Sequence, residues 1–158
     1  MQAVAVVAML VVLGGLPLAA RAVGDDPATV QVAYDEALAT RLGADERGMR
    51  RYVLVILKTG PTRVPDGEER KAMFAGHFAN MQRLADAGKL ALAGPLDGVD
   101  GWRGLFVMAV DDIEEARALA ATDPVIVKGE MVAEYHTWYG SAGVMLVPEV
   151  HATLVKPQ

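Results

Sequence analysis

The chain has 158 residues, 53% of them hydrophobic and 22% charged, with a formal net charge of −5 and no cysteine. It is too apolar to be disordered, and its acidic balance argues against nucleic acid as a partner, because phosphates demand a basic surface. Without cysteine there is no disulfide framework, no thiolate nucleophile and no Cys-ligated metal centre.

Met1 to Ala20 holds no charge, and Ala3 to Leu13 is an unbroken apolar run. That run has the length of a signal-peptide h-region and is shorter than the roughly 20 residues that span a bilayer. Gly14, Gly15 and Pro17 interrupt it, and Ala20-Arg21-Ala22 has the small-x-small pattern of a cleavage site. Residues 1–22 are therefore predicted to be a signal peptide cleaved after Ala22, although the n-region carries no Lys or Arg. The expected location is periplasmic or secreted, with no membrane attachment after cleavage. An uncleaved anchor is the alternative.

Residues 23–50 read as a helical extension. Asp26-Pro27 supplies an N-cap and a first-turn proline, Tyr34, Leu38 and Leu42 recur every four residues, and Gly43 suits the C-cap. Tyr52 to Leu57 is a strand-length run rich in β-branched residues, closed by the turn residues Gly60-Pro61 and Pro65-Asp66-Gly67. Glu68 to Ala87 has helical spacing at Met73, His77, Met81 and Leu84, with Gly88 as its stop. Lys89 to Ala93 predicts a second strand ended by Gly94-Pro95, and Asp97 to Arg103 a hairpin loop. Gly104 to Val110 predicts a third strand. Asp111 is placed as the cap of a second helix, with Glu114 completing a capping box. Asp123-Pro124 opens a short turn or helix to Lys128, Met131 to Tyr139 is a fourth strand, and residues 140–158 form a tail with helical potential.

This β-α-β-β-α-β order predicts a ferredoxin-like α+β domain, a four-stranded antiparallel sheet with two helices on one face. Strands 52–57 and 104–110 are apolar on both faces, and two helices cover only one. The expected solution is a homodimer, sheet against sheet; the alternative is a terminal extension folded over the open face.

Chemistry-bearing residues are few. His77 falls on the buried face of its helix, where it is either a core histidine or a general acid/base tuned by an apolar pocket. Asp86, nine residues further on, falls on the opposite side of the same helix. Asp123 follows the second helix on the same side of the sheet, but Asp-Pro is also ordinary capping chemistry, so spacing alone does not make a pair. His136 alternates with Glu134 and Trp138 on one strand face, a weak metal pattern, and no metal is expected. Trp138 has the character of a core or interface residue. Lys58 ends the first strand, where pocket residues are common. Ser141 is the only serine, which removes most hydrolase schemes.

Three segments carry a resemblance: YVLVILKTGP, GHFANMQRLADAGKLALAGPL and ALAATDPVIVKGEMVAEYHTWYG. In this order they resemble the YCII-related (YciI-like) domain family across residues 51–139, and the WYG ending and tail resemble an exported bacterial subgroup. The resemblance implies a dimeric α/β barrel of ferredoxin-like subunits and a pocket with a His–Asp pair, here His77 and Asp123. Gly94 and Pro95 match the family's Gly-Pro after the second strand, and Lys58 and Trp138 join them as candidate substrate-binding residues. A relative that dehydrochlorinates a chlorinated hydroquinone implies that the scaffold supports proton-transfer or elimination chemistry. The expectation is an exported protein acting on a small molecule by lyase or isomerase chemistry without cofactor. A non-catalytic ligand-binding or stress-related dimeric module is the alternative.

Overall fold

A computed structural model describes residues 33–156. The predicted signal peptide and the Asp26-Pro27 cap lie outside the described residues. The elements are α1 (Glu36–Leu42), β1 (Met49–Thr59), α2 (Glu68–Asp86), β2 (Leu90–Pro95), β3 (Trp102–Met108), α3 (Ile113–Ala120), α4 (Pro124–Val127), β4 (Met131–Ser141) and α5 (Val147–Leu154). The strands form one antiparallel sheet in the order β2-β3-β1-β4, the arrangement of a ferredoxin-like α+β fold.

Local chemistry explains where the boundaries differ from expectation. α1 is capped by Asp35, which accepts the Leu38 N–H at 2.9 Å, and Gly43 closes it at φ 67°. α3 is capped by Asp112 rather than Asp111: its carboxylate accepts the Glu115 N–H at 2.8 Å, one residue later than expected. Two adjacent aspartates make either cap chemically sound. β2 runs through Gly94-Pro95 instead of ending there, because an edge strand tolerates a proline with no N–H to donate. β3 starts at Trp102 and stops at Met108, and β1 and β4 each extend to 11 residues.

Alternation along the strands divides the core in two. Val53, Val55 and Leu57 of β1 and Phe106 and Met108 of β3 pack with Met73 and Leu84 of α2 and Ala116 and Ala120 of α3. Full burial of such a side chain contributes about 1.5–3 kcal/mol. On the opposite face Tyr52, Ala91, Val107 and Ala109 pack with Val144 and Met145, which belong to a 3-10 turn at Ala142–Leu146. The C-terminal segment thus covers part of the face expected to be open. The Ala142 N–H anchors it to the Gly48 carbonyl at 2.9 Å. Leu92, Trp102, Val132 and Trp138 stay 38–44% exposed on the remainder. No helix among the described residues is long and apolar enough to cross a membrane.

Candidate acid–base site

The site begins with a glycine. A Cβ on Gly76 of α2 would lie 2.9 Å from Pro124 Cγ, so its absence lets α2 pack directly against the start of α4. Pro124 occupies the first turn of α4 and Asp123 is its N-cap in extended conformation. One Asp123 oxygen, Oδ1, accepts the Val125 N–H at 3.1 Å. The other, Oδ2, sits 2.7 Å from His77 Nδ1. Capping chemistry and the histidine partner are therefore the same carboxylate. Asp123 is fully buried and His77 is 8% exposed.

A carboxylate only accepts, so His77 donates from Nδ1–H to Asp123, and in the neutral imidazole this leaves Nε2 as the acceptor. Nε2 has no hydrogen-bond partner among the described residues. The ring stacks on Phe106, centroids 6.0 Å apart, and meets Phe74 edge-on at 6.3 Å. It borders a cavity of about 80 Å³ whose wall includes Gly94, Pro95, Arg103, Phe106 and Met131. Phe78, also on this wall, is 62% exposed, which puts the mouth at the surface.

Two braces fix the helix that carries His77. Arg83 donates to Asn80 Oδ1 at 2.6 Å and to Thr122 Oγ1 at 2.9 Å, tying α2 to the residue before Asp123. At the other end Arg70 pairs with the buried Glu130 at 2.7 Å, and Glu130 accepts the Val64 N–H at 2.7 Å. The hydrogen bond from Arg70 holds the Glu130 carboxyl below the usual carboxylate range; burial opposes it, and the Val64 N–H adds to it. Glu130 immediately precedes Met131 of the cavity wall.

Of the residues singled out in the sequence, His77, Asp123, Gly94 and Pro95 come together. Lys58 and Trp138 do not join them. Both occupy positions of β1 and β4 whose side chains leave the sheet away from α2: Lys58 reaches Glu134 at 3.3 Å and Trp138 packs on Tyr52 with centroids 5.3 Å apart. His136 pairs with Glu134 at 2.8 Å on the same exposed face. Asp86 is held by Gln82 at 2.7 Å, away from His77. Arg103 is the cavity residue that sequence reasoning missed. Its one visible signal is a single cation opening an otherwise apolar strand.

The YCII-related domain family matches residues 51–138. Over 70 residues the chain is 36% identical to Protein YciI of Escherichia coli O6:H1 strain CFT073, covering 39% of this chain and 71% of that protein. Protein YciI of Shigella flexneri matches to the same extent.

Proposed function

The chain belongs to the YCII-related domain family, and from that premise we propose that it is a cofactor-independent acid–base catalyst of lyase or isomerase type acting on a small molecule. The observation that carries this reading is the 2.7 Å contact between the buried Asp123 carboxylate and His77 Nδ1, with the histidine on a cavity wall. In the reading, Nε2 takes a proton from a substrate carbon. The imidazolium that forms gains a charge-assisted bond to the Asp123 carboxylate. The same Nε2–H then returns the proton to a neighbouring atom, or to a leaving group. The apolar ring of phenylalanines strengthens that ion pair relative to water. Gly94 contributes backbone to the cavity wall.

A metabolite screen by mass spectrometry, comparing wild type with His77→Ala, tests this. Turnover found with wild type is expected to fall by about 10²–10⁴-fold in the variant. Equal turnover by both proteins removes His77 from any catalytic role, and ligand binding with no turnover by either favours a binding module.

The proposal includes export and a homodimer. Export is supported by the signal-peptide pattern of residues 1–22, and the mature protein is expected to begin at Val23 by N-terminal sequencing. The dimer is supported by the apolar side chains Leu92, Trp102, Val132 and Trp138 left on the second sheet face. Light scattering is expected to give twice the subunit mass. A monomer would mean that the C-terminal segment covers enough of that face alone.

A further inference from the structure

We propose that Arg103 anchors a carboxylate on the substrate of the His77 site, so that the ligand class is a small carboxylic acid. This inference rests on the acid–base reading of the same cavity and deepens it. Arg103 is the unmatched residue of a β-bulge: Leu57 pairs with Gly104 and Lys58 with Trp102 across the β1–β3 ladder. A bulge re-aims the side chain it carries, and bulges recur beside ligand sites. Here Arg103 lines the cavity that His77 borders.

The guanidinium is uncommitted. Arg41, Arg63, Arg70 and Arg117 each pair with an acidic side chain, Arg50 and Arg83 donate to oxygens of the fold, and Arg47 and Arg51, which have no such partner among the described residues, are exposed and do not line this cavity. Arg103 has no ion pair and no side-chain hydrogen bond among the described residues, and it is only partly exposed. A half-buried arginine fork left without an acceptor suits a planar carboxylate taken bidentately. The protein itself is acidic, with net charge −5, so an anionic ligand needs a local cation to offset the general field. Arg103 and His77 are the only basic side chains on this wall. One permanent cation beside one titratable base fits a monoanionic carboxylate better than a phosphate, which carries more charge. About 80 Å³ of space holds only a few non-hydrogen atoms, which further favours a small acid.

Acetate and acetamide test this as isosteric probes that differ in charge. Binding is read at millimolar concentration from the NMR signals of the Met131 methyl group and the Gly94 amide. Acetate is expected to give a saturable shift and acetamide none. Arg103→Gln is expected to weaken acetate binding by about tenfold or more. Arg103→Lys, which keeps the charge but loses the fork, is expected to fall between the two. Unchanged signals elsewhere establish that the variants are folded. Equal response to both probes, no response to either, or an undiminished response in Arg103→Gln overturns the assignment. The two readings fail separately. Arg103-dependent acetate binding in a protein that turns over no compound sustains the anchor and removes the catalyst. His77-dependent turnover with no Arg103-dependent binding does the reverse.

Discussion

Two histidines in this chain each meet a carboxylate at nearly the same distance, His77 with Asp123 at 2.7 Å and His136 with Glu134 at 2.8 Å. Their surroundings differ. Asp123 is fully buried, is fixed by the Val125 N–H and faces a ring packed among phenylalanines. Glu134 is exposed and shared: the His136 hydrogen bond and then that of Lys58 hold its carboxyl low, in contact with solvent. An ion pair in water is screened and contributes little, whereas the same pair inside an apolar wall can direct a proton. Distance alone does not separate the two, nor does a second hydrogen bond on the carboxylate; burial and an adjoining cavity do.

Removing each carboxylate exposes this difference most sharply. Asp123→Ala takes away the α4 cap and the histidine's buried partner together, and is expected to destabilise by about 2–4 kcal/mol in thermal or urea unfolding. Glu134→Ala is expected to leave the melting temperature unchanged. Comparable losses from both would erase the distinction between the two pairs. Next in size is Gly76→Val, which forces α2 away from Pro124. Overpacking there is expected to cost about 1–3 kcal/mol and to weaken the His77–Asp123 hydrogen bond, visible in the ring ¹⁵N signals.

Glu130→Gln probes the brace rather than the pair, and its effect depends on pH. The folded Glu130 carboxyl is lowered, so its ionised form stabilises the native state above the unfolded value of about 4.3. Wild type is expected to melt several degrees above the variant from pH 5 to 7. The gap is expected to narrow as pH falls below about 4.3 and through the lowered folded value. A gap independent of pH would mean that the brace acts by shape and not by charge. A structural effect nearly as small as that of Glu134→Ala is expected from Gly94→Ala, because its methyl enters open space. Stability should change by less than about 0.5 kcal/mol, and ligand affinity at the His77 cavity should stay the same, because Gly94 pairs with Leu105 and its Cβ direction leaves the sheet away from α2. A marked fall in that affinity would contradict this side-chain direction.

The topology was readable because each element carries its own local signal. The period of α2, the β-branched run of β1 and the Asp-Pro opening of α4 all act over a few residues. Strand limits were less readable, since Gly94-Pro95 normally stops a strand and is tolerated here only because β2 lies at an edge, a property of the assembled sheet. The cover on the second face depends on a hydrogen bond between Ala142 and Gly48, residues far apart in the chain. The candidate site divides in the same way. His77 is marked by its place on an apolar helix face, but its partner was fixed only by resemblance to a family, because an Asp-Pro cap has the same appearance with or without a histidine beside it. Lys58 and Trp138 were placed by chain position, whereas strand alternation sends them to the other face. Arg103 owes its place to a one-residue bulge that no local pattern announces.

Incubating the protein in D₂O with a mixture of small carboxylic acids, and following C–H signals by proton NMR, tests proton transfer at His77 most directly. Wild type is expected to exchange or eliminate at one carbon-bound proton of at least one compound, Asp123→Asn to do so far more slowly, and His77→Ala not at all. Exchange at the same rate in all three proteins would contradict the role assigned to the pair.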